Sequence, residues 1–568
     1  MHGSSSLVFE WIFSLGLRFR SVLLCLAANF GISFAAGSLP QFADVTRQAG
    51  LSGFVNKQGS VRKDYILESI GGGCAWFDYD RDGWLDIILI RGADLESYAK
   101  GGERVCALYR NNRDGKFTDA TGKAGLAARG WGMGVTIGDY DADGREDMFV
   151  TGYGRNFLFR NKGDGTFSEV AGKAGLLSTG LWSTGAVFFD YDGDGRLDLY
   201  VARYVHFDAS KPVRRGPGCK YQGMGVFCGP QGFHSDPHSL YRNNGDGTFM
   251  DVSEPAGLRK ASGPYHGLGV VALDFDNDGR QDLYVANDST PNLLWRNLGG
   301  GRFEEVAVAR NVAFSSDGLE QAGMGVEAGD LFNRGLLDLH VTNFSREPNE
   351  LYRNMADYFF EDITWSSGIG KVTLPYLGWS VHFADFDLDG WQDILTVNGH
   401  VYPEVDRAET GTTYRQRLLL FRNLADGRFE SVGDKLGAGF AALHAGRGAA
   451  VGDYDNDGDL DVLIANIDDP PALLRNTGKP AHNWLQVGLE PAGASSHIGA
   501  RVYVTAGGLK QMREVRSQSG YLSVSDPRAH FGLGAAATAD AVDVVWPDGK
   551  RVSTKNVKAN QFVRLPRP

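Results

Sequence analysis

Four aspartates, Asp190, Asp192, Asp194 and Asp198, fall within the nine residues DYDGDGRLD, with Gly195 at the sixth position. Carboxylates packed this densely repel one another unless a divalent cation sits among them. Calcium takes six to eight oxygens at ~2.3 to 2.6 Å, and acids at positions one, three and five with a turn-forming glycine at six can wrap it. The seventh residue adds a carbonyl, and the aspartate at nine closes the sphere. In a helical calcium hand the closing acid comes at position twelve and helices flank the loop. Here the flanks GAVFF and LDLYVA are β-branched and aromatic, so the loop joins two strands.

The pattern recurs through the chain. Its ligands are Asp78, Asp80, Asp82 and Asp86; Asp139, Asp141, Asp143 and Asp147; Asp274, Asp276, Asp278 and Asp282; Asp385, Asp387, Asp389 and Asp393; and Asp453, Asp455, Asp457 and Asp461. A turn alone needs no acids at one, three, five and nine, so six copies at one spacing point to about six structural Ca²⁺ sites. A seventh copy, DLFNRGLLD from Asp330, keeps Asp330, Gly335 and Asp338 but puts Phe332 and Arg334 at ligand positions, and is expected to be metal-free.

A second set of residues precedes the loops by six to eight positions: Trp131, Trp182, His266, Trp379 and Arg447. With His400, and beside the amide-bearing turns ANDS, TNFS, VNGH and ANID, they offer stacking and polar groups for a sugar or a peptide. The competing reading is that the tryptophans plug a narrow channel and the asparagines cap turns. A guanidinium entering a channel mouth needs an acceptor, which makes Arg447 the strongest single candidate. No His-Glu-x-x-His, Gly-x-Ser-x-Gly or phosphate loop occurs, and catalytic residues stay unassigned. Carboxylates committed to a cation cannot also act as general acids. The expected role is therefore a calcium-dependent binding or adhesion module for an extracellular glycan or protein. The alternatives are a calcium-dependent carbohydrate-active enzyme of lyase or dehydratase type using His266, His400 and Arg447, or a structural partner of an exported complex.

The elements that position these residues repeat too. After each loop hairpin comes an LxRN strand, from LYRN at 108 to LLRN at 473, and most continue through a Gly-rich turn into a strand such as FSEV or FMDV. The last LLRN lacks that final strand, and the missing one lies at the other end of the chain as QFADV from Gln41. Such a displaced strand predicts an all-β fold: a seven-bladed β-propeller closed by its N-terminal strand, free of open sheet edges. The loops fall about 62 residues apart on average, room for four-stranded blades and their connections. Beyond residue 480, the alternation in GARVYVTAG and AVDVVWP predicts a small C-terminal β-sandwich. In that tail Arg516, Tyr521, Asp526, Arg528 and His530 form either a polar lock between sheets or a site.

The 568 residues include 77 glycines, a turn-rich composition, and the net charge of −12 would be largely offset by six bound Ca²⁺. No basic run favours nucleic acid. Arg18 and Arg20 followed by SVLLCLAANFGISFAAG read as a signal peptide over residues 1–36, so the mature chain is expected to be secreted or periplasmic, with no membrane span. In an oxidising compartment Cys219 and Cys228, within an insertion at residues 207–239, are expected to form a disulfide; a Cys74–Cys106 pairing stays open.

Together the DxDxDGxxD loops and LYRNNGDGTF resemble the FG-GAP/VCBS repeats of integrin-type propellers, above all in the bacterial relatives of cartilage acidic protein. HNWLQVGLE, SGYLSVSDPRAHFGLG and VDVVWPDGK resemble the ASPIC/UnbV domain. The resemblance implies an extracellular or periplasmic calcium-binding protein with a role in adhesion or matrix contact. It implies the division 37–480 for the propeller and 481–568 for the second domain, and a disulfide-bearing insertion within the first.

Overall fold

The computed structural model describes residues 38–568 except 217, 262, 357–358, 480 and 491–495. The signal peptide expected at residues 1–36 lies outside the described residues. The chain is all-β, and among the described residues seven antiparallel sheets carry the repeats. In the third, Ser183–Phe189, Asp198–Arg203, Ser239–Asn243 and Phe249–Asp251 pair in chain order. The first two strands are buried throughout, which is why they read as continuous apolar runs rather than alternating ones. The acidic loop joins them.

The sheet formed by Gly446–Gly452, Asp461–Asn466 and Ala472–Asn476 is completed by Phe42–Asp44, with Phe42 opposite Asn476. Trp76 of the first sheet stacks on Tyr454 of this last one at 5.8 Å between centroids. Asn111 Nδ2 donates to the Tyr454 carbonyl at 3.0 Å, and its counterpart Asn161 donates to the Tyr79 carbonyl of the sheet before it at 3.0 Å. The same asparagine bond thus joins last sheet to first and first to second.

The tail forms two sheets. Asn483–Glu490 pairs with Ala529–Gly534 and, in parallel, with Gln561–Pro566, and four further strands between Arg501 and Lys558 make the second sheet. Leu485, Val502, Phe531, Val542 and Trp546 belong to one shared apolar core. Between these strands, residues 517–526 leave the tail and run against the repeat sheets. This segment bonds to Cys74 and Trp76, to Val135 and Ile137, to Phe188, Val326, Ser380 and Val451. Those residues lie on the innermost strands of six different sheets. Close approach is possible because the sheets carry glycine there: a Cβ on Gly73 would lie 2.1 Å from the Leu522 carbonyl oxygen, and one on Gly325 2.0 Å from that of Trp379.

Cys219 and Cys228 form a disulfide, Cα to Cα 5.0 Å, while Cys74 and Cys106 are unpaired. Burial pushes both free thiols up to about 12. Among the described residues no helix is long and apolar enough to cross a membrane.

Candidate metal centres and ligand face

Each acidic loop is built the same way. The first aspartate accepts the amides of positions five and six: Asp194 N to Asp190 at 3.1 Å and Gly195 N at 2.8 Å, Asp82 and Gly83 N to Asp78 at 2.9 and 2.8 Å. Gly195 turns the chain at φ +87°, a left-handed conformation that favours glycine. The ninth aspartate accepts the asparagine amide of the following LxRN strand, as Asn243 N does to Asp198 Oδ1 at 2.8 Å. Loop and third strand are therefore one hydrogen-bonded unit.

The third aspartate carries the chemistry. Its outer oxygen pairs with the arginine of LxRN: Arg110 with Asp80 at 2.7 Å, Arg242 with Asp192 at 3.2 Å, Arg296 with Asp276, Arg422 with Asp387 and Arg475 with Asp455 at 2.8 Å, and Arg160 with Asp141. Its inner oxygen has no partner. Oδ1 of Asp80, Asp141, Asp192, Asp276, Asp387 and Asp455 is buried without a hydrogen bond in all six loops. Burying a carboxylate oxygen unpaired is costly, and its repetition at position three of all six loops makes it a property of the motif rather than a local defect. Burial also pushes the ninth aspartates up, Asp86 and Asp198 to about 8 and Asp147 to about 9, with the neighbouring loop carboxylates adding to the effect. Carboxylate oxygens from three aspartates come within 4.8 Å of one another in the loops that begin at Asp78, Asp139, Asp190, Asp274 and Asp385. An all-oxygen, strongly negative donor set fits a hard divalent cation such as Ca²⁺.

The fifth loop meets the same electrostatic problem with an ion pair from its own chain. Arg334 Nη2 donates to Asp338 Oδ1 at 2.8 Å, so a guanidinium stands beside the ninth aspartate. The LxRN arginine, Arg353, has Phe332 where the others meet an aspartate, and pairs with Glu361 at 2.6 Å instead.

All six residues expected to form a ligand face are buried: Trp131, Trp182, His266, Trp379, His400 and Arg447. The physical reason is that residues 517–526 fill the interior from the loop side and the insertion covers the other mouth. Trp131, Trp182 and Trp379 share one apolar cluster with Tyr521 of the tail and with Val226 and Phe227 of the insertion. Arg447 finds its acceptors in carbonyls, those of Ser69 at 2.7 Å, Gly446 at 2.8 Å, Gly399 at 3.2 Å and His400 at 3.3 Å, and lies 4.2 Å from the Trp379 ring. His400 is held by Ser345 and by the Tyr402 amide, and burial pushes it down to about 3. Trp379, His400 and Arg447 are thus brought together, whereas Trp131 and Trp182 meet only through Tyr153 and His266 sits against Tyr204. The turn asparagines Asn287, Asn343, Asn398 and Asn466 cap nearby carbonyls.

What the sequence did not reveal lies just outside this plug. A cleft of about 360 Å³ opens between the insertion and the sheets, lined by Tyr204, Tyr221, Phe227, Asp288, Glu347 and Tyr402 among others. Asp288 belongs to the ANDS turn, but nothing in its local sequence ties it to Glu347 or to the insertion.

On the opposite face the tail grips the loops. Arg501 donates to the Asp274 carbonyl at 2.8 Å and to Asn277; Arg528 donates to the Asp453 carbonyl at 2.8 Å and to Asn456 at 2.7 Å. Two tail arginines thus hold the first and fourth positions of two acidic loops in the same manner.

Comparison with known proteins agrees with this organisation. The model of the FG-GAP-like repeat matches residues 78–150, 139–201, 226–285, 274–341, 330–396 and 408–497, and that of the ASPIC and UnbV domain matches residues 491–568. Human cartilage acidic protein 1 is 27% identical over 517 residues, covering 86% of this chain and 70% of the human protein. The Xenopus tropicalis protein of the same name is 26% identical, covering 76% and 72%. Among solved structures, an Agrocybe aegerita lectin recognising non-reducing terminal N-acetylglucosamine is 16% identical over 70% of this chain and 87% of its own, with a TM-score of 0.39. The BP39L lectin from Burkholderia pseudomallei is 11% identical over 72% and 97%, with a TM-score of 0.40. Structural likeness that distant bears on neither ligand nor activity.

Proposed function

The chain belongs to the FG-GAP-like repeat family and carries an ASPIC and UnbV domain, and on that premise we propose that it is an exported calcium-binding propeller that holds an extracellular glycan or protein. The observation that carries the reading is the buried, unpartnered Oδ1 of the third aspartate in all six intact loops. Six Ca²⁺ ions, each held by the aspartates at positions one, three, five and nine, would supply the missing partner and neutralise the loops. Their role is structural: the ninth aspartate ties each loop to the next strand, so the ion fixes the hairpin.

The seven sheets are read as seven blades in a closed ring, residues 37–480, with the tail, 481–568, as a second domain. Closure is supported by the pairing of Phe42–Asp44 with the last sheet and by the Trp76–Tyr454 stack. A ten-residue segment can bond to inner strands of six sheets only if those strands surround it. Export is supported by the disulfide and by the apolar leader in the sequence.

Binding is favoured over catalysis because two of the three residues expected to act chemically are buried and committed: His400 to Ser345 and Tyr402, Arg447 to four carbonyls. The test is retention of polysaccharides and matrix proteins on the immobilised chain, in calcium and in chelator. Calcium-dependent retention of unaltered polymer or protein is the expected result. Shortened or unsaturated products, or retention indifferent to chelator, would overturn the reading.

A further inference from the structure

The cleft beneath the disulfide insertion combines aromatic side chains with two carboxylates. Its walls are aromatic: Phe227 and Tyr221 of the insertion pack on Tyr402 at 4.7 and 5.5 Å between centroids. Its charged groups are two half-buried carboxylates, Asp288 and Glu347, on turns following the second strands of neighbouring sheets. Asp288 accepts from Tyr204 Oη and, at 2.8 Å, from Ser289 Oγ, while Glu347 accepts the Ala322 amide at 2.8 Å. Neither has an ion-pair partner among the described residues; Lys220, on the rim, is exposed.

We propose that this cleft binds an alkylammonium group, with Asp288 and Glu347 as its counter-charges and Tyr402, Phe227 and Tyr221 as its walls. Aromatic faces attract a cation through the ring quadrupole, and carboxylates aimed into the same desolvated space add Coulombic attraction that a neutral ligand cannot use. Burial, with Asp288 adding its like charge, pushes the Glu347 carboxyl up to about 7, a penalty that a bound cation relieves. A volume of about 360 Å³ holds a lysine side chain or a short polyamine, the two sources of this chemistry. The inference rests on the proposed reading of the chain as a binding module and names where its ligand sits.

The test is calorimetric titration of the full chain, loaded with calcium, with Nα-acetyl-lysine-methylamide, its uncharged isostere Nα-acetyl-norleucine-methylamide, and spermidine. At least one ammonium probe should bind more than about tenfold tighter than the norleucine compound, and Glu347→Gln and Asp288→Asn should each weaken it by about tenfold. Tyr221→Ala, on the insertion and outside the sheets, should do the same and keeps the test valid if Asp288→Asn does not fold. Tighter binding of spermidine would identify a free polyamine, and tighter binding of the lysine compound a protein side chain. Equal affinity for charged and uncharged isosteres, or affinity unchanged by Glu347→Gln, would overturn the proposal. So would a neutral oligosaccharide whose binding Tyr221→Ala abolishes and Glu347→Gln leaves intact. Melting in calcium and in chelator, run alongside, reports on the calcium reading separately, so the two failures are distinguishable.

Discussion

Arg334 shows what the aspartates of the other loops lack. Its guanidinium sits beside Asp338, with the cation position supplied by the chain itself. Replacing both Phe332 and Arg334 by aspartate should therefore create a seventh calcium site, raising the bound calcium by one ion per chain; an unchanged count would break the link between the unpartnered oxygens and calcium. In the reverse direction, Asp192→Ala should remove roughly 2.7 kcal/mol of stability when calcium is about a hundredfold above its dissociation constant, and little in chelator. Thermal midpoints across a calcium titration check it. A separate residue, Glu327, gives a pH signature. Burial pushes its carboxyl up to about 7 despite the opposing pull of Arg516. A raised carboxyl contributes stability that is present below its unfolded value near 4.3 and lost as pH rises through about 7. The midpoint of Glu327→Gln relative to wild type should accordingly climb between about pH 4 and about pH 7 and level off above, and a flat difference across that window would contradict it. The acidic loops were legible because their spacing is local, nine residues fixed by one turn. Arg447 was legible as a buried cation in want of an acceptor, but not the acceptors, since Ser69 and Gly399 come from distant parts of the chain.

Two elements join repeat sheets that are distant in sequence, and they differ in how openly the sequence announces them. The strand Phe42–Asp44 could be read from the sequence because every repeat but the last has its own copy. Removing residues 38–47 should expose the edge of Ala472–Asn476 and lower the thermal midpoint cooperatively, and a midpoint equal to wild type would argue against closure. The segment 517–526 gave no such sign. In the sequence it is a short polar run, and its contacts to six inner strands exist only once the sheets enclose it. Its register is set by glycines such as Gly73, where an added Cβ meets the Leu522 carbonyl at 2.1 Å. Gly73→Ala should cost about 1 to 3 kcal/mol by overpacking, measured by chemical denaturation.

For the whole molecule, cation loops and tail form one mechanical system. Arg501 and Arg528 hold backbone carbonyls of the first aspartates of two loops, which ties those loops to the tail that carries residues 517–526. Chelation should then speed amide hydrogen exchange in residues 517–526 as well as in the loops themselves; exchange confined to the loops would show that the tail docks independently of them. The cleft at the other mouth would respond last, through Tyr521 and the apolar cluster it shares with the insertion. Underlying all of this is the number of ions. The most direct measurement is the calcium content of the purified chain after equilibrium dialysis against micromolar to millimolar calcium. Saturation at about six ions per chain, falling by one in Asp192→Ala, is the predicted result. A chain that saturates with none, or whose content is indifferent to Asp192→Ala, would contradict the account.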